Sequence, residues 1–310
     1  MSKILVAGGS GFLGSHLCRE LIKRNHFVYC LDNNLTGSKK NIKDLASLNN
    51  FRFIKHDINK PIKLKVEKIF NLASPASPKQ YQKDPIFTIK TNFIGTLNLL
   101  ELARYNNAKF LQASTSEIYG DPLEHPQKES YWGNVNSIGF RSCYDEGKRA
   151  AETLCFDFYR QHNLSIKVVR IFNTYGPNLK QGDGRVVSNF ITQAIKNNKI
   201  TIYGNGKQTR SFCYVSDLID GLLLMMNGSK KLIGPINLGN PLEISISKLA
   251  RKIIKLTNSN SKIEFKKLPH DDPERRNPDI SKAKNELGWF PRVSIDQGLL
   301  FTINYFKNLR

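Results

Sequence analysis

Cysteine is scarce in this chain. The five in 310 residues (Cys18, Cys30, Cys143, Cys155, Cys213) are odd in number and never spaced Cys-x-x-Cys. Neither a disulfide framework nor a structural zinc site is suggested, no metal is expected, and the cysteines read as small core residues or bystanders. Long apolar runs are also missing. The nearest, Leu222-Leu223-Leu224-Met225-Met226, falls far short of the roughly 18 residues that cross a bilayer, so no membrane contact is expected. Low-complexity segments and solenoid repeats are absent, and Met1 leads straight into the apolar run Lys3 to Ala7 without a charged leader, so secretion is not expected and a cytoplasmic location is. Acidic residues are few: 26 Asp and Glu against 47 Lys and Arg leave a net charge of +21. Nucleic acid is the obvious partner to test against such a charge. The lysines, however, are spread along the chain beside asparagines, as in Lys196-Asn197-Asn198-Lys199, rather than massed in one arm. A solvated surface that also attracts anionic ligands is the expectation, without a nucleic-acid partner.

What is present is 40% hydrophobic residues in a regular pattern. Short aliphatic runs at 3–7, 27–31, 51–55, 68–72, 109–114, 166–171 and 235–238 alternate with longer stretches of helical periodicity at 14–24, 85–105 and 144–162. That alternation predicts an α/β Rossmann fold, a doubly wound parallel sheet. From Asn173 onward Gly and Pro punctuate the chain more often, which predicts a smaller, interleaved C-terminal substrate-binding lobe. The expected division is 1–172 plus about 213–245 for the nucleotide-binding domain, and about 173–212 plus 246–310 for the lobe, with a ligand cleft between them.

Directly after the first predicted strand stands Gly8-Gly9-Ser10-Gly11-Phe12-Leu13-Gly14, followed by an amphipathic stretch. Glycines in that place allow a tight turn and close approach of a pyrophosphate to a helix N-terminus. Asp32 lies eighteen residues beyond Gly14, at the end of the second strand. A carboxylate there accepts hydrogen bonds from ribose hydroxyls and repels a 2′-phosphate, which favours NAD over NADP. Asp57 and Ile58, and Leu72 and Ala73, end the next two strands. They face the crevice in a doubly wound sheet, or serve as turn and core residues.

Tyr144 and Lys148 are four residues apart in a helical stretch, hence on one face. Work as a base near neutrality asks the tyrosine for a downward shift of about 3 pKa units, which an ammonium and a cationic nicotinamide together could supply. Such a pair arises often by chance. Here it follows both the glycine turn and Ser114-Thr115-Ser116-Glu117-Ile118-Tyr119-Gly120, which leaves the end of a core strand.

Taken together, the glycine turn, the Ser-Thr segment and Tyr-x-x-x-Lys resemble the extended short-chain dehydrogenase/reductase family over about Ser2 to Phe306. Several stretches resemble its UDP-glucuronate decarboxylase (UDP-xylose synthase) branch. They are Asn71 to Pro78, Ser114 to Pro122, Cys143 to Arg149, Asp183 to Phe190 and Asn237 to Pro241. Ala7, Ser10 and Phe140 depart from that pattern without removing a reactive group. The resemblance implies NAD held by Gly8, Gly11, Phe12, Leu13, Gly14, Asp32, Asn33, Asn34, Thr36, Gly37, Asp57, Ile58, Leu72, Ala73, Ser74, Thr91, Tyr144 and Lys148. It implies catalysis by Thr115, Glu117, Tyr144 and Lys148: Tyr144 takes the proton of the sugar 4-hydroxyl, and Glu117 organises a water or merely caps its segment. It places Lys90, Thr115, Asn173, Arg185, Tyr203, Arg210 and Arg276 around UDP-glucuronate or UDP-xylose. It also implies a homodimer through the helix from Pro85, with Phe93, Leu97 and Leu100 on its buried face. A 4-epimerase or 4,6-dehydratase on the same scaffold, or an NAD-binding protein without catalysis, are the competing readings.

Overall fold

The computed structural model describes residues 1–267 and 276–309. Its centre is a seven-stranded sheet: β1 (Lys3–Ala7), β2 (Phe27–Asp32), β3 (Phe51–Lys55), β4 (Lys68–Asn71), β5 (Lys109–Thr115), β6 (Ile166–Ile171) and a last strand, Ile236–Leu238. From one edge the order is Ile236–Leu238, β6, β5, β4, β1, β2, β3, and every neighbouring pair is parallel. This is the Rossmann arrangement, in which the chain runs outward in both directions from the β1/β4 boundary. Ligands bind at such a boundary, outside the strands' carboxyl ends.

Both faces of the sheet are covered, so its strands are apolar throughout rather than alternating. Ile4 and Val6 of β1 enter one hydrophobic cluster, while Leu5 and Ala7 enter the other, as the two-residue period of a strand requires. On the second face lie α3 (Pro85–Asn106) and α4 (Ser142–His162), packed against each other; α1 (Phe12–Lys23) covers the first. The ends of α3 follow local chemistry. Pro85 opens it, the Asp84 carboxylate accepts from the Phe87 amide at 2.9 Å, and Asn107 closes it in the left-handed region. A four-residue helix, α2 (Pro78–Tyr81), precedes it.

The remaining α-helices and strands follow β6 in the chain. Three two-stranded pairs (Thr174–Tyr175 with Cys213–Tyr214, Ile200–Tyr203 with Ile263–Lys266, Thr209–Ser211 with Glu243–Ser245) accompany α5 (Val186–Ile195). Next, α6 (Val215–Asn227) carries the leucine–methionine run into the core against α1, and α7 (Ile246–Thr257), α8 (Ser281–Leu287) and α9 (Ile295–Lys307) complete the chain. The cluster that begins at Ile4 continues without a break to Leu249, Ile253 and Phe306. Among the described residues no helix is long and apolar enough to cross a membrane.

Candidate active site

A cleft of about 1680 Å³ opens at the carboxyl ends of β1, β4 and β5, above the usual few hundred to 1,000 Å³ of a single-ligand pocket. It has room for a dinucleotide and a second nucleotide side by side.

Its first wall is backbone. Gly8 sits at φ +76°, and a Cβ there would lie 2.9 Å from the Ala73 backbone; a Cβ at Gly14 would lie 2.1 Å from the Gly8 carbonyl oxygen. The turn therefore fits flush between β4 and α1. Gly11 precedes α1 with no side-chain cap, so the first amides of the helix face the cleft as an anion site. The Asp32 carboxylate accepts from the amides of Ser10 (3.0 Å) and Asn34 (2.7 Å) and lines the cleft. Gly8, Gly11, Phe12, Leu13, Gly14, Asn33, Thr36, Gly37, Asp57, Ile58, Leu72, Ala73, Ser74 and Thr91 line it as well. This cradle, closed to any Cβ and carrying a ribose-level carboxylate, fits NAD. Asn34 does not line it: at φ +60°, its side-chain oxygen accepts from the Ser10 hydroxyl at 2.9 Å, so it braces the turn instead.

The second wall is chemical. Thr115 ends β5, and its hydroxyl, which accepts from the Glu117 amide at 3.3 Å, stands beside the Tyr144 phenol. Lys148, one turn on, donates to the Ala113 carbonyl at 2.9 Å, with its ammonium 5.9 Å from the centre of the Tyr144 ring. Burial pulls that ammonium down to about 8. Burial also pushes the Tyr144 phenol up to about 12, against the lowering influence of the Thr115 hydroxyl. The downward shift expected of Tyr144 is therefore not made by the protein alone. Desolvation outweighs the lowering influences of the Thr115 hydroxyl and the Arg185 guanidinium. The Tyr144 ring is stacked on Tyr81, 5.1 Å between centroids and 6° between planes.

Glu117, two residues past Thr115, is clasped by two guanidiniums, Arg141 and Arg276. Burial opposes its ionisation, but Arg276 and Arg141 prevail and hold the carboxyl far down, at about 2. Arg276 is nearly inaccessible (4% exposed) and is also anchored on the Gly120 carbonyl at 2.9 Å. Arg141 reaches the Asp145 carboxylate at 3.9 Å, and the other Asp145 oxygen is buried without a partner. Burial and then Glu117 push the Asp145 carboxyl up to about 7. Beneath this layer the Ser114 hydroxyl donates to Glu152 at 2.5 Å, and Glu152 holds Arg170 at 2.8 Å, locking β5, α4 and β6 together.

Asn173, Arg185, Tyr203 and Arg210 line the cleft as well, and the Arg185 guanidinium bears on the Tyr144 phenol. Arg185 reaches Asp183 at 3.6 Å and the Ala76 carbonyl at 3.4 Å across the opening. Lys90 is misplaced by the sequence reading. It is exposed and outside the cleft, whereas Phe87 and Thr91 of the same helix line it, because one residue along a helix turns the side chain by about 100°. Leu100, expected on a subunit face, is buried within the protein itself. Sequence reasoning missed Arg141, Asp145 and Tyr81. For the first two, the spacing of Arg141 three residues before Tyr144 and four before Asp145 was an available signal; Tyr81 carried none. Among the described residues, no group of three His, Cys, Asp or Glu is placed to hold a metal.

The family model of GDP-mannose 4,6 dehydratase matches residues 5–300. The chain belongs to this family, within the extended short-chain dehydrogenases/reductases. It is 53% identical over 306 residues to UDP-glucuronic acid decarboxylase 1 of Arabidopsis thaliana, covering 99% of this chain and 70% of that one. It is 52% identical over 305 residues to UDP-glucuronic acid decarboxylase 1 of Xenopus tropicalis, covering 98% and 72%. Among solved structures it resembles UDP-glucuronic acid 4-epimerase from Bacillus cereus in complex with UDP-glucuronic acid and NAD. That match has a TM-score of 0.90 and 30% identity, over 99% of this chain and 100% of the other.

Proposed function

We propose that this protein converts UDP-glucuronate to UDP-xylose and carbon dioxide, with NAD as a cofactor that ends each turnover unchanged. One observation carries the reading. The Thr115–Tyr144–Lys148 group of a dehydrogenase shares its cleft with a carboxylate, Glu117, held between two arginines, in a chain 52–53% identical to proteins named for this decarboxylation.

The cofactor-side residues above would hold NAD on the glycine turn, where it would supply a hydride acceptor and donor for C4 of the sugar. Tyr144 removes the proton of the 4-hydroxyl, Thr115 orients that hydroxyl, and Lys148 keeps positive charge beside the tyrosine. The resulting 4-ketone is β to the carboxylate. The bond from C5 to the carboxyl carbon then breaks, its electron pair passes into an enolate, and carbon dioxide leaves. A proton taken from solvent is delivered to C5, which Glu117 serves by orienting a water, since an ionised carboxylate accepts hydrogen bonds rather than donating a proton. Tyr144 gives its proton back to the oxygen as the ketone is reduced again, so the net change is one proton consumed and one carbon dioxide released. Asn173, Arg185, Tyr203 and Arg210, which line the same cleft, serve the uridine diphosphate, for whose oxygens forked guanidinium donors are suited.

The division into 1–172 plus about 213–245 for NAD, and about 173–212 plus 246–310 for the sugar nucleotide, belongs to this reading. In its support, α6 packs on the central sheet while α5 and α7 pack on each other. So does a homodimer: Ile86, Ile89, Phe93 and Ile94 leave an exposed apolar stripe on α3, at the spacing of one helix face. A cytoplasmic setting suits five unpaired cysteines, four of them buried.

Incubation with UDP-glucuronate and a trace of NAD, with products separated and weighed by mass spectrometry, tests the proposal. Loss of carbon dioxide to give UDP-xylose, abolished in Tyr144→Phe, is the expected result. A product of unchanged mass and altered retention would replace it with 4-epimerisation, the reading favoured by the Bacillus cereus likeness.

A further inference from the structure

The stretch Asn237 to Pro241, one of those that resemble the decarboxylase branch, does not line the cleft. It begins in the edge strand Ile236–Leu238 and lies against the backbone that follows Arg276. Asn237 is fully buried, and its side-chain nitrogen donates to two carbonyls, Gln127 at 3.0 Å and Asp279 at 3.1 Å. Its side-chain oxygen accepts from the Tyr119 hydroxyl at 2.8 Å, and its backbone amide donates to the Glu129 carboxylate at 2.8 Å. With its donors and its acceptor all engaged, Asn237 makes the strand end a fixed point. Gly239 lets the chain approach it closely. A Cβ there would lie 2.7 Å from the Phe172 Cβ and 2.9 Å from the Pro278 Cγ, so the missing side chain is the space into which Pro278 packs.

Gln127, also fully buried, holds the same backbone by its main chain and its side chain. Its amide donates to the Asn277 carbonyl and its carbonyl accepts from the Asp279 amide, both at 2.9 Å, while its side-chain oxygen accepts from the Asn277 amide at 2.9 Å. The residue just before this anchored run is Arg276, whose guanidinium reaches Glu117 and the Gly120 carbonyl. We propose that Asn237, Gly239 and Gln127 are positioning residues for the reaction, forming a seat for residues 277–279 that keeps the Arg276 guanidinium on Glu117. This rests on the decarboxylase reading, in which Glu117 orients the water that serves C5, and deepens it by naming what holds that carboxylate ready.

The seat acts through charge. The groups facing Glu117 are Arg276, Arg141, Asp145, Tyr144 and Tyr81. Burial opposes the ionisation of Glu117, and Arg276 leads Arg141 in overcoming it and holding the carboxyl at about 2. When the seat is loosened Arg276 recedes, Arg141 stays, and burial gains ground. An opposite charge beside a carboxylate is worth about 1–3 pKa units, so the Glu117 carboxyl should climb by about that much. Below its new midpoint it is protonated, and it no longer offers the water an ionised acceptor.

Infrared titration of the NAD-loaded protein reads this carboxyl directly, through the C=O stretch that appears on protonation. Gln127→Met keeps the length of the side chain and removes its hydrogen bonds. At pH 4 the parent should show no Glu117 band. Gln127→Met should show one, absent from Gln127→Met/Glu117→Gln, with a midpoint about 1–3 units above the parent's. Gly239→Ala, which presses on Pro278 without removing a hydrogen bond, should move the band the same way and keeps the test open should Gln127→Met not fold. In steady-state assay both variants should gain an additional acid limb in kcat at the midpoint found by infrared, which a general loss of stability would not produce. A Glu117 band unmoved in both variants would overturn the seat. A moved band without the additional acid limb would overturn its part in the reaction. A parent enzyme that releases no carbon dioxide would instead refute the decarboxylase reading alone, because the infrared titration needs no turnover.

Discussion

The two walls of the cleft are made of different material. The NAD wall is backbone: a glycine turn, the free end of α1 and one carboxylate held by two amides, all within the first 34 residues. The opposite wall is side-chain charge gathered from distant places, with Glu117 meeting Arg276 from 159 residues away. Backbone recognition tolerates no added atom but asks little of side-chain chemistry. Charge recognition tolerates changes of shape better than the loss of one partner, since an uncompensated buried charge is costly.

Gly14→Ala puts the sharpest strain on that contrast. Its Cβ would meet the Gly8 carbonyl oxygen at 2.1 Å, and overpacking of this kind costs about 1–3 kcal/mol or more. Loss of NAD binding by at least about a hundredfold and a melting temperature lowered by several degrees are expected from titration and calorimetry, and an alanine that binds NAD normally would show that the turn has slack. Next in size is Glu117→Gln, which keeps the shape and removes the charge. A fall in kcat of about a hundredfold with NAD affinity unchanged is expected from steady-state assay, and parallel losses in both would mean that the walls are not separable. Asp32→Asn should weaken NAD by about tenfold and narrow the preference over NADP, because the lost charge is what repels a 2′-phosphate; an unaltered NAD/NADP ratio would remove Asp32 from ribose recognition. Smallest is Lys90→Ala. The exposed side chain lies outside the cleft, so KM for UDP-glucuronate should stay within about twofold, and a larger rise would restore the role that the family resemblance implied.

The contrast also explains how much was legible in the sequence. The strands of the central sheet were read to within a residue or two at each end, because each is a short aliphatic run bounded by polar residues and its two buried faces demand that composition. Tyr144 and Lys148 were readable because four residues on a helix means one face. Asn34 and Lys90 were not correctly placed. Each lies next to a residue that does line the cleft, Asn33 and Thr91, and neither a turn's φ nor the rotation of a helix about its axis is written in a local motif.

By itself the sequence determined which segments become strands, where the glycine turn falls and the pairing of tyrosine with lysine, since all three are written in the local pattern of one strand, one turn or one helix. Tertiary structure alone decided the charge state of the site. Folding brought Arg141, Asp145, Glu117 and Arg276 together, buried Tyr144 until its phenol rose to about 12, and left Asp145 near 7. Those values come from desolvation and from neighbours far apart in the chain, and both exist only once the protein has closed around them.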